Sequence, residues 1–301
     1  MTNPTPLVSV VLGSYNRRAF LRATLESVRA NGQGFPCEII VVDGGSTDGS
    51  LKYLAKQKDV ITIIQHNRGK FRGKTIDRRS WGYFMNLGFK AAQGKYILMI
   101  SDDCLLVPGA IKNGVEQFEK LLAEGKKVGA MAFYWRNWPE RKKYWVGLTL
   151  GNTFFVNHGL YLRSALADIN FIDEQAYRFY YADSDLGIRL AQAGYTCVDA
   201  SKSYVEHFSH SNQPVRKVNR TSKQQDKDNF IARWNHLGSP AQDWVEKEFD
   251  DPDETALTYW RWLSLGIRLY LFFRPILAPA ISLARKCKKA IVRIHRRKMK
   301  L

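Results

Sequence analysis

The sequence predicts an α/β fold, a mixed and mainly parallel sheet of Rossmann-like, doubly wound type with flanking helices, followed by a basic amphipathic helical tail. Short apolar, β-branched runs alternate with segments of helical spacing, the pattern of parallel strands covered by helices on both faces. Three of those runs end in polar groups, Ser14-Tyr15, Asp43 and Asp102-Asp103, which such a sheet delivers to one edge. The composition then changes: no acidic residue follows Glu254, while twelve Lys and Arg lie between Thr255 and Leu301.

LVSVVLGSY, Leu7 to Tyr15, reads as a buried strand ending in Gly-Ser. Arg17 to Asn31 places Phe20, Leu21, Leu25 and Val28 at helical spacing, with Gly32 as a stop. CEIIVVD is a second strand ending at Asp43, and Asp48 or Ser50 caps a helix carrying Leu51 and Leu54. Ser46 and Asp48 are read as shaping the turn after Asp43. VITIIQHN is a third strand, SWGYFMNLGFKAAQG a helix and KYILMISDD a fourth strand. VGAMAFYW opens a further apolar stretch, and YADSDLGIRLAQAGY sets Leu186, Leu190 and Ala193 on one helical face. The expected organisation is a domain over 1–235, a linker or helical extension over 236–254, and a membrane-associating region over 255–301.

The 301 residues, 45% hydrophobic and 25% charged, suffice for one large α/β domain with an appendage. Cys37, Cys104, Cys197 and Cys287 contain no CxxC pair and read as free thiols of a reducing compartment. The N-terminus lacks a basic start followed by a long apolar region, so a secretory signal is not expected. GSYNRR follows the first strand where a dinucleotide site needs GxGxxG, and no GxxxxGK[ST] occurs. Of the net charge of +18, the tail carries +12 and residues 1–254 carry +6, so the partner implied by charge is a partner of the tail.

Four blocks in order resemble the family 2 glycosyltransferases with the GT-A fold over roughly residues 7–235. VSVVLGSYNRRAFLRATLESV resembles the family's opening strand and helix, and EIIVVDGGSTDGS its most recognisable segment. Asn86-Leu87-Gly88 with AAQGKYILMISDD matches its middle block, and FIDEQAYRFYYADSDLGIRLAQAGY its acceptor-side block. The resemblance implies an inverting, metal-dependent transferase of hexosyltransferase type that uses a nucleotide-sugar donor. It implies Asp43 as acceptor of a base N–H, Asp102 as partner of ribose hydroxyls, and Tyr15 as a wall of the base pocket or a packing residue. Asp103 would hold a divalent cation, Mn2+ or Mg2+, bridging the diphosphate, where a hard ion stabilises the leaving group.

The family's acid motif is commonly Asp-x-Asp. Here the third position is Cys104, a poor ligand for Mg2+ and read as packing, and Ser101 precedes the pair. His207 matches a downstream His that sometimes supplies a second ligand, and is equally read as a packed or surface residue; His210 is a weaker candidate. Asp183 matches the acceptor-side base, with Asp185 a secondary candidate because Ala182 stands where many relatives have Glu. Both also suit a helix N-terminus as dipole-favoured acids. In the basic insert from Arg68 to Gly82, Arg72, Lys74, Arg78 or Arg79 would face a diphosphate or an anionic lipid, or be solvated. Trp135, Trp138 and Trp145 would stack on an acceptor sugar or pack.

In the tail, Pro275 and Pro279 break any membrane span, and Arg261, Arg268 and Arg274 interrupt it. Arg261, Ser264 and Arg268 form one narrow stripe amid Trp, Leu, Ile and Tyr, as in a helix lying in a membrane interface. The polybasic end adds attraction to an anionic surface; packing on the body or nucleic-acid binding are the competing readings, and no nucleic-acid partner is expected. The combined expectation is a peripheral or monotopic enzyme on the cytoplasmic membrane face, extending a lipid-linked or oligosaccharide acceptor in cell-surface polysaccharide synthesis. A non-catalytic adaptor on a transferase-like fold is the alternative, and a nucleotidyltransferase a third.

Overall fold

The computed structural model describes residues 5–32, 34–137, 143–208 and 213–248, together with positions 265, 269, 272 and 273. Trp138, His210 and nearly all of the tail lie outside the described residues. Two compact units divide the chain, residues 1–252 and 253–301.

The first unit begins with the alternation read above: β1 (Val8–Ser14), α1 (Arg18–Asn31), β2 (Cys37–Asp43), α2 (Ser50–Leu54) and β3 (Val60–Ile64). A small hairpin of β4 (Lys70–Phe71) and β5 (Lys74–Thr75) follows, then α3 (Trp81–Ala91), β6 (Tyr96–Met99), β7 (Cys104–Leu106) and α4 (Ala110–Ala123). The second half comprises β8 (Val128–Asn137), β9 (Tyr144–Thr149), β10 (Thr153–Phe154), β11 (Gly159–Leu162), α5 (Arg163–Asp168) and α6 (Ala182–Gln192). β12 (Thr196–His207), α7 (Gln213–Arg220), α8 (Lys223–Trp234) and β13 (Trp244–Lys247) complete it.

The main sheet runs β10-β9-β8-β11-β6-β1-β2-β3, with β12 bridging β7 and β8 and β13 on β9. β1 pairs in parallel with β2 and β6, β2 with β3, and β12 with β8; β11 runs antiparallel between β6 and β8. Apolar strands therefore occupy the centre, and Val8, Val10, Val11 and Leu12 of β1 are fully buried. Because side chains alternate across a strand, Val8, Val10 and Leu12 pack with α1 on one face while Val11 packs with α3 on the other.

Helices α1, α2, α3 and α6 sit where the sequence placed them. Ser80 caps α3, its hydroxyl accepting from the Tyr83 N–H at 3.1 Å. Gly88 lets α3 approach the sheet, since a Cβ there would stand 2.5 Å from Val11 Cγ1. Asp48 serves two helices: Oδ2 accepts from the Arg18 N–H at the start of α1, and Oδ1 from the Ser50 N–H and hydroxyl at the start of α2.

One boundary differs from expectation. Trp244–Lys247 falls in the stretch read as linker or helical extension, yet forms β13, antiparallel to β9. Its Trp244 ring lies 6.3 Å from that of Trp145, which explains the pairing: the strand covers an aromatic edge. Trp145 in turn packs against Trp135, the ring centres 3.8 Å apart and tilted by 45°, so both belong to a packed cluster. Cys37, Cys104 and Cys197 are free thiols.

In the second unit, positions 265, 269, 272 and 273 are helical, and their side chains, Leu265, Leu269, Phe272 and Phe273, are exposed. No helix among the described residues is long and apolar enough to cross a membrane.

Candidate active site

The carboxyl ends of β1, β2 and β6 meet at one edge, as parallel register requires: Val11 pairs with both Ile40 and Met99. A cleft opens there. Ser14, Tyr15, Arg17 and Asp102 line one side and Arg68, Arg78 and Asn219 another, over an apolar wall that includes Trp81 and Met85.

Asp102 and Asp103 are both buried, each about 2% exposed. Adjacent carboxylates repel and lose hydration when buried, so a cation must offset both costs. Arg17 supplies it: one guanidinium nitrogen stands 2.6 Å from Asp102 Oδ1 and 2.9 Å from Asp103 Oδ2. Burial pulls the Arg17 pKa down, but Asp102 and Asp103 outweigh it and leave the pKa raised. Burial raises the Asp102 pKa, with Arg17 opposing and Asp103 reinforcing. Asp103 also turns Oδ1 toward His207, 3.7 Å from Nε2. The structure thus brings together four of the expected site residues, Tyr15, Asp102, Asp103 and His207. It adds Arg17, whose signal was a basic residue directly after the first strand on the edge that carries the acids.

Asp43, at the end of β2, is engaged by its own turn. It is fully buried, and the local turn uses its carboxylate: Oδ1 accepts from the Gly45 and Ser46 N–H groups at 2.9 and 2.7 Å, and Oδ2 from the Ser46 hydroxyl at 2.7 Å. Burial raises its pKa against these bonds. Its neighbour Gly44 lines the cleft instead. The turn is fixed further by Gly45 at φ +86, where a Cβ would meet His66 Nδ1 at 2.3 Å. Asn16, itself at φ +53, ties the loops after β1 and β2 together, donating its N–H to Ser46 Oγ and accepting from the Thr47 N–H.

Tyr15 faces the cleft with the Arg68 guanidinium 5.5 Å from its ring centre. Arg68 and Arg78 both donate to Asn219 Oδ1, at 2.9 and 2.7 Å. Burial lowers both pKa values, that of Arg78 to about 10 with Arg68 adding to the shift. Two desolvated guanidiniums on one neutral oxygen make a receptor for an anion. Of the four basic candidates named in the insert, Arg78 lines the cleft. Arg68 and Asn219 were not singled out in sequence, and Asn219 carried no local signal.

On the acceptor side, Tyr181 adopts φ +65 just before α6, and its ring stacks on Phe230 at 5.1 Å. This left-handed residue sets the helix start, so Asp183 heads α6. Asp183 is partly exposed and takes the Ser184 N–H on Oδ1 at 2.9 Å. Burial raises its pKa, with that N–H opposing. Phe179, just upstream, lines the cleft. Asp226 of α8 accepts from the N–H groups of Arg178, Phe179 and Tyr180 at 2.7, 3.0 and 2.9 Å, which holds the approach to Asp183 in place.

Asp185 is corrected to a structural residue. It is fully buried and receives Arg189 Nε at 2.7 Å, Trp234 Nε1 at 2.9 Å and the Tyr177 hydroxyl at 3.1 Å, with an Arg233 nitrogen at 3.2 Å. A carboxylate so enclosed has no path to a substrate proton. Two residues apart on a helix turns side chains about 200° from each other, which separates its role from that of Asp183.

The glycosyl transferase family 2 profile matches residues 9–178, more than half of the chain. The chain belongs to this family. Putative teichuronic acid biosynthesis glycosyltransferase TuaG of Bacillus subtilis is 32% identical over 111 residues, covering 34% of this chain and 38% of that protein. A dolichyl N-acetyl-glucosaminyl phosphate diacetamido-dideoxy-glucuronosyltransferase of Methanococcus voltae is 26% identical over 129 residues, 41% of this chain and 37% of that one. The chain thus spans little more than a third of the length of these curated relatives. Among solved structures, the mannosyltransferase PcManGT of Pyrobaculum calidifontis, in complex with GDP-Man and Mn2+, aligns with TM-score 0.53 and 18% identity over 76% of this chain and 65% of that one. S. aureus TarS 1–349 with UDP-GlcNAc aligns with TM-score 0.54 and 15% identity over 76% and 70%. The fold is of GT-A type, as the motif order implied.

Proposed function

We propose that this glycosyltransferase moves a sugar, with inversion, from a nucleotide-sugar donor to a hydroxyl of a lipid-linked glycan in cell-surface polysaccharide synthesis, working at the cytoplasmic membrane face. The observation that carries the transfer chemistry is the division of labour among the carboxylates. One acid pair is locked beside a cationic cleft, while Asp183 stands apart on a helix start with a raised pKa.

In this reading the base and ribose enter between Tyr15 and the loop at Gly44, with Asp102 toward the ribose hydroxyls. Arg68 and Arg78 meet the diphosphate, whose charge suits two guanidiniums that both donate to the neutral Asn219 oxygen. Asp103 and His207 would hold a divalent cation. The donor set fits one, because Asp103 Oδ1 and His207 Nε2 face each other at 3.7 Å while Oδ2 is engaged by Arg17. Such an ion supplies Lewis-acid stabilisation of the departing diphosphate. Asp183, whose pKa burial raises, takes the proton of the acceptor hydroxyl as its oxygen attacks the anomeric carbon. Attack opposite the leaving group inverts that centre. PcManGT with GDP-Man and TarS with UDP-GlcNAc support the donor class.

The membrane part rests on the tail. Leu265, Leu269, Phe272 and Phe273 recur at the spacing of one helical face and are exposed, which supports an interfacial helix beside the polybasic end. A donor panel tests the whole reading. Membranes carrying the protein are given UDP-, GDP- and dTDP-sugars with Mn2+ and a lipid-linked acceptor extract, and nucleoside diphosphate release is measured beside Asp103→Ala and Asp183→Ala. Release from one donor that both substitutions abolish is expected. Release that neither substitution changes would sink the assignment.

A further inference from the structure

Cys104, read in sequence as packing, does not only pack. Beside the acid pair it converges with two imidazoles. Cys104 opens β7, His207 closes β12 directly opposite it, and His158 stands just before β11. The ligand atoms of the three lie within 4.8 Å of one another. Cys104 Sγ is 3.7 Å from His158 Nε2 and 3.8 Å from Nδ1. An ion bound tetrahedrally at about 2.3 Å from sulfur and about 2.0–2.1 Å from nitrogen separates such atoms by about 3.6 Å. The cluster therefore closes on an ion with small side-chain rotations.

Two further observations point the same way. His158 is buried, and among the described residues its ring nitrogens meet no polar atom but the Cys104 sulfur. Buried imidazoles ordinarily find a better acceptor or donor. His207 is oriented from outside: Asn137 Oδ1 lies 3.0 Å from Nδ1, while Nε2 faces Asp103 Oδ1 at 3.7 Å. Outer oxygen partners fix ligand tautomers in this way at metal centres. Trp135 closes the site, its ring edge-on to both imidazoles.

We propose that Cys104, His158 and His207 bind one thiophilic divalent transition ion, of the Zn2+ or Co2+ kind, with its fourth position toward Asp103. Thiolate and two imidazoles select such ions over Mg2+. On binding, the thiol proton passes to solvent and the sulfur lone pair forms the metal bond. The inference rests on the cation reading above only in sharing His207. Its readout is metal binding and not sugar transfer, so the two stand or fall separately.

The full chain, stripped with chelator under reducing conditions and checked for native near-ultraviolet dichroism, is titrated with Co2+. One equivalent and a thiolate-to-cobalt charge-transfer band are expected, unaffected by excess Mg2+. Cys104→Ser abolishes the band, and His158→Ala weakens cobalt binding by about tenfold or more. Because replacing buried Cys104 risks the fold, a chain with Cys37, Cys197 and Cys287 all changed to Ser is run beside it and keeps the band. Native protein without the band overturns the proposal and leaves Cys104 and His158 as packing partners. A band that survives Cys104→Ser, or is lost in the triple variant, overturns it by assigning the ion to another thiol. Bleaching by Mg2+ overturns the ion class.

Discussion

Replacing Asp185 by Asn keeps the shape of the most enclosed carboxylate near the base and removes its charge. The Arg189, Trp234 and Tyr177 donors then face an amide that offers one acceptor oxygen and an NH2 group with two donors of its own. Breaking a buried ion pair by removing one partner costs about 3–5 kcal/mol. Arg189 retains the Ile169 and Phe171 carbonyls at 2.7 and 2.6 Å, and Arg233 is 39% exposed and screened, so the lower end, about 3 kcal/mol, applies. At about 2–4 °C per kcal/mol for a domain of this size, the melting temperature falls by roughly 6–12 °C. Asp183→Asn behaves in the opposite way. Its pKa is raised in the folded state. The folded state therefore binds the proton more tightly than the unfolded one, and stability declines as pH rises through that window. At neutral pH, removing the charge leaves the melting temperature unchanged or slightly higher, while turnover falls by about 10²–10⁴. Thermal unfolding and nucleoside diphosphate release on the same preparations read both effects. An unchanged melting temperature with lost turnover in Asp185→Asn, beside an active Asp183→Asn, would transfer the base to Asp185 and refute the reasoning.

The raised pKa of Asp183 also places the acid limb of kcat/KM above the 3.8 of an ordinary aspartate, with the rate climbing as pH rises, because the base works ionised; a limb at or below that value would count against it. Arg78→Gln removes half of the guanidinium pair on Asn219 and weakens nucleoside diphosphate binding by about tenfold, read by calorimetry, with little change in fold. Gly88→Ala drives a methyl to 2.5 Å from Val11 Cγ1 and costs about 1–3 kcal/mol in denaturant unfolding, since the helix must lift from the sheet. Leu269→Asp with Phe272→Asp lowers flotation with anionic vesicles and spares donor hydrolysis in solution; equal flotation would remove the membrane reading.

Sequence carried the strand ends well because a buried strand must be apolar and its exit polar. Ser14, Asp43 and Asp102 were placed on one edge by that logic alone. Whether an edge acid faces a ligand or its own turn depends on the residues two and three positions on, and at Asp43 the Gly45 and Ser46 N–H groups engage its carboxylate. Asp185 did leave a trace, the spacing of four to Arg189 with Leu186, Ile188 and Leu190 around them, the signature of an internal ion pair. Tertiary coincidences left none. His158 meets Cys104 across 54 residues, and Asn219 meets Arg68 across 151. Such pairings follow from which strands neighbour which, and no local pattern encodes that.

β13 has a consequence for solubility. It caps the outer side of β9, whose Val146 and Tyr144 are buried beneath the sheet's rim. Its own outer residues include Glu246, a charge that discourages a further strand from pairing there. A chain ended at residue 235 would bare the β9 backbone and the Trp145 ring together, a template for edge-to-edge association between copies. A tail-less enzyme that stays monomeric must therefore run past Lys247, and its colloidal behaviour depends on the four residues of β13.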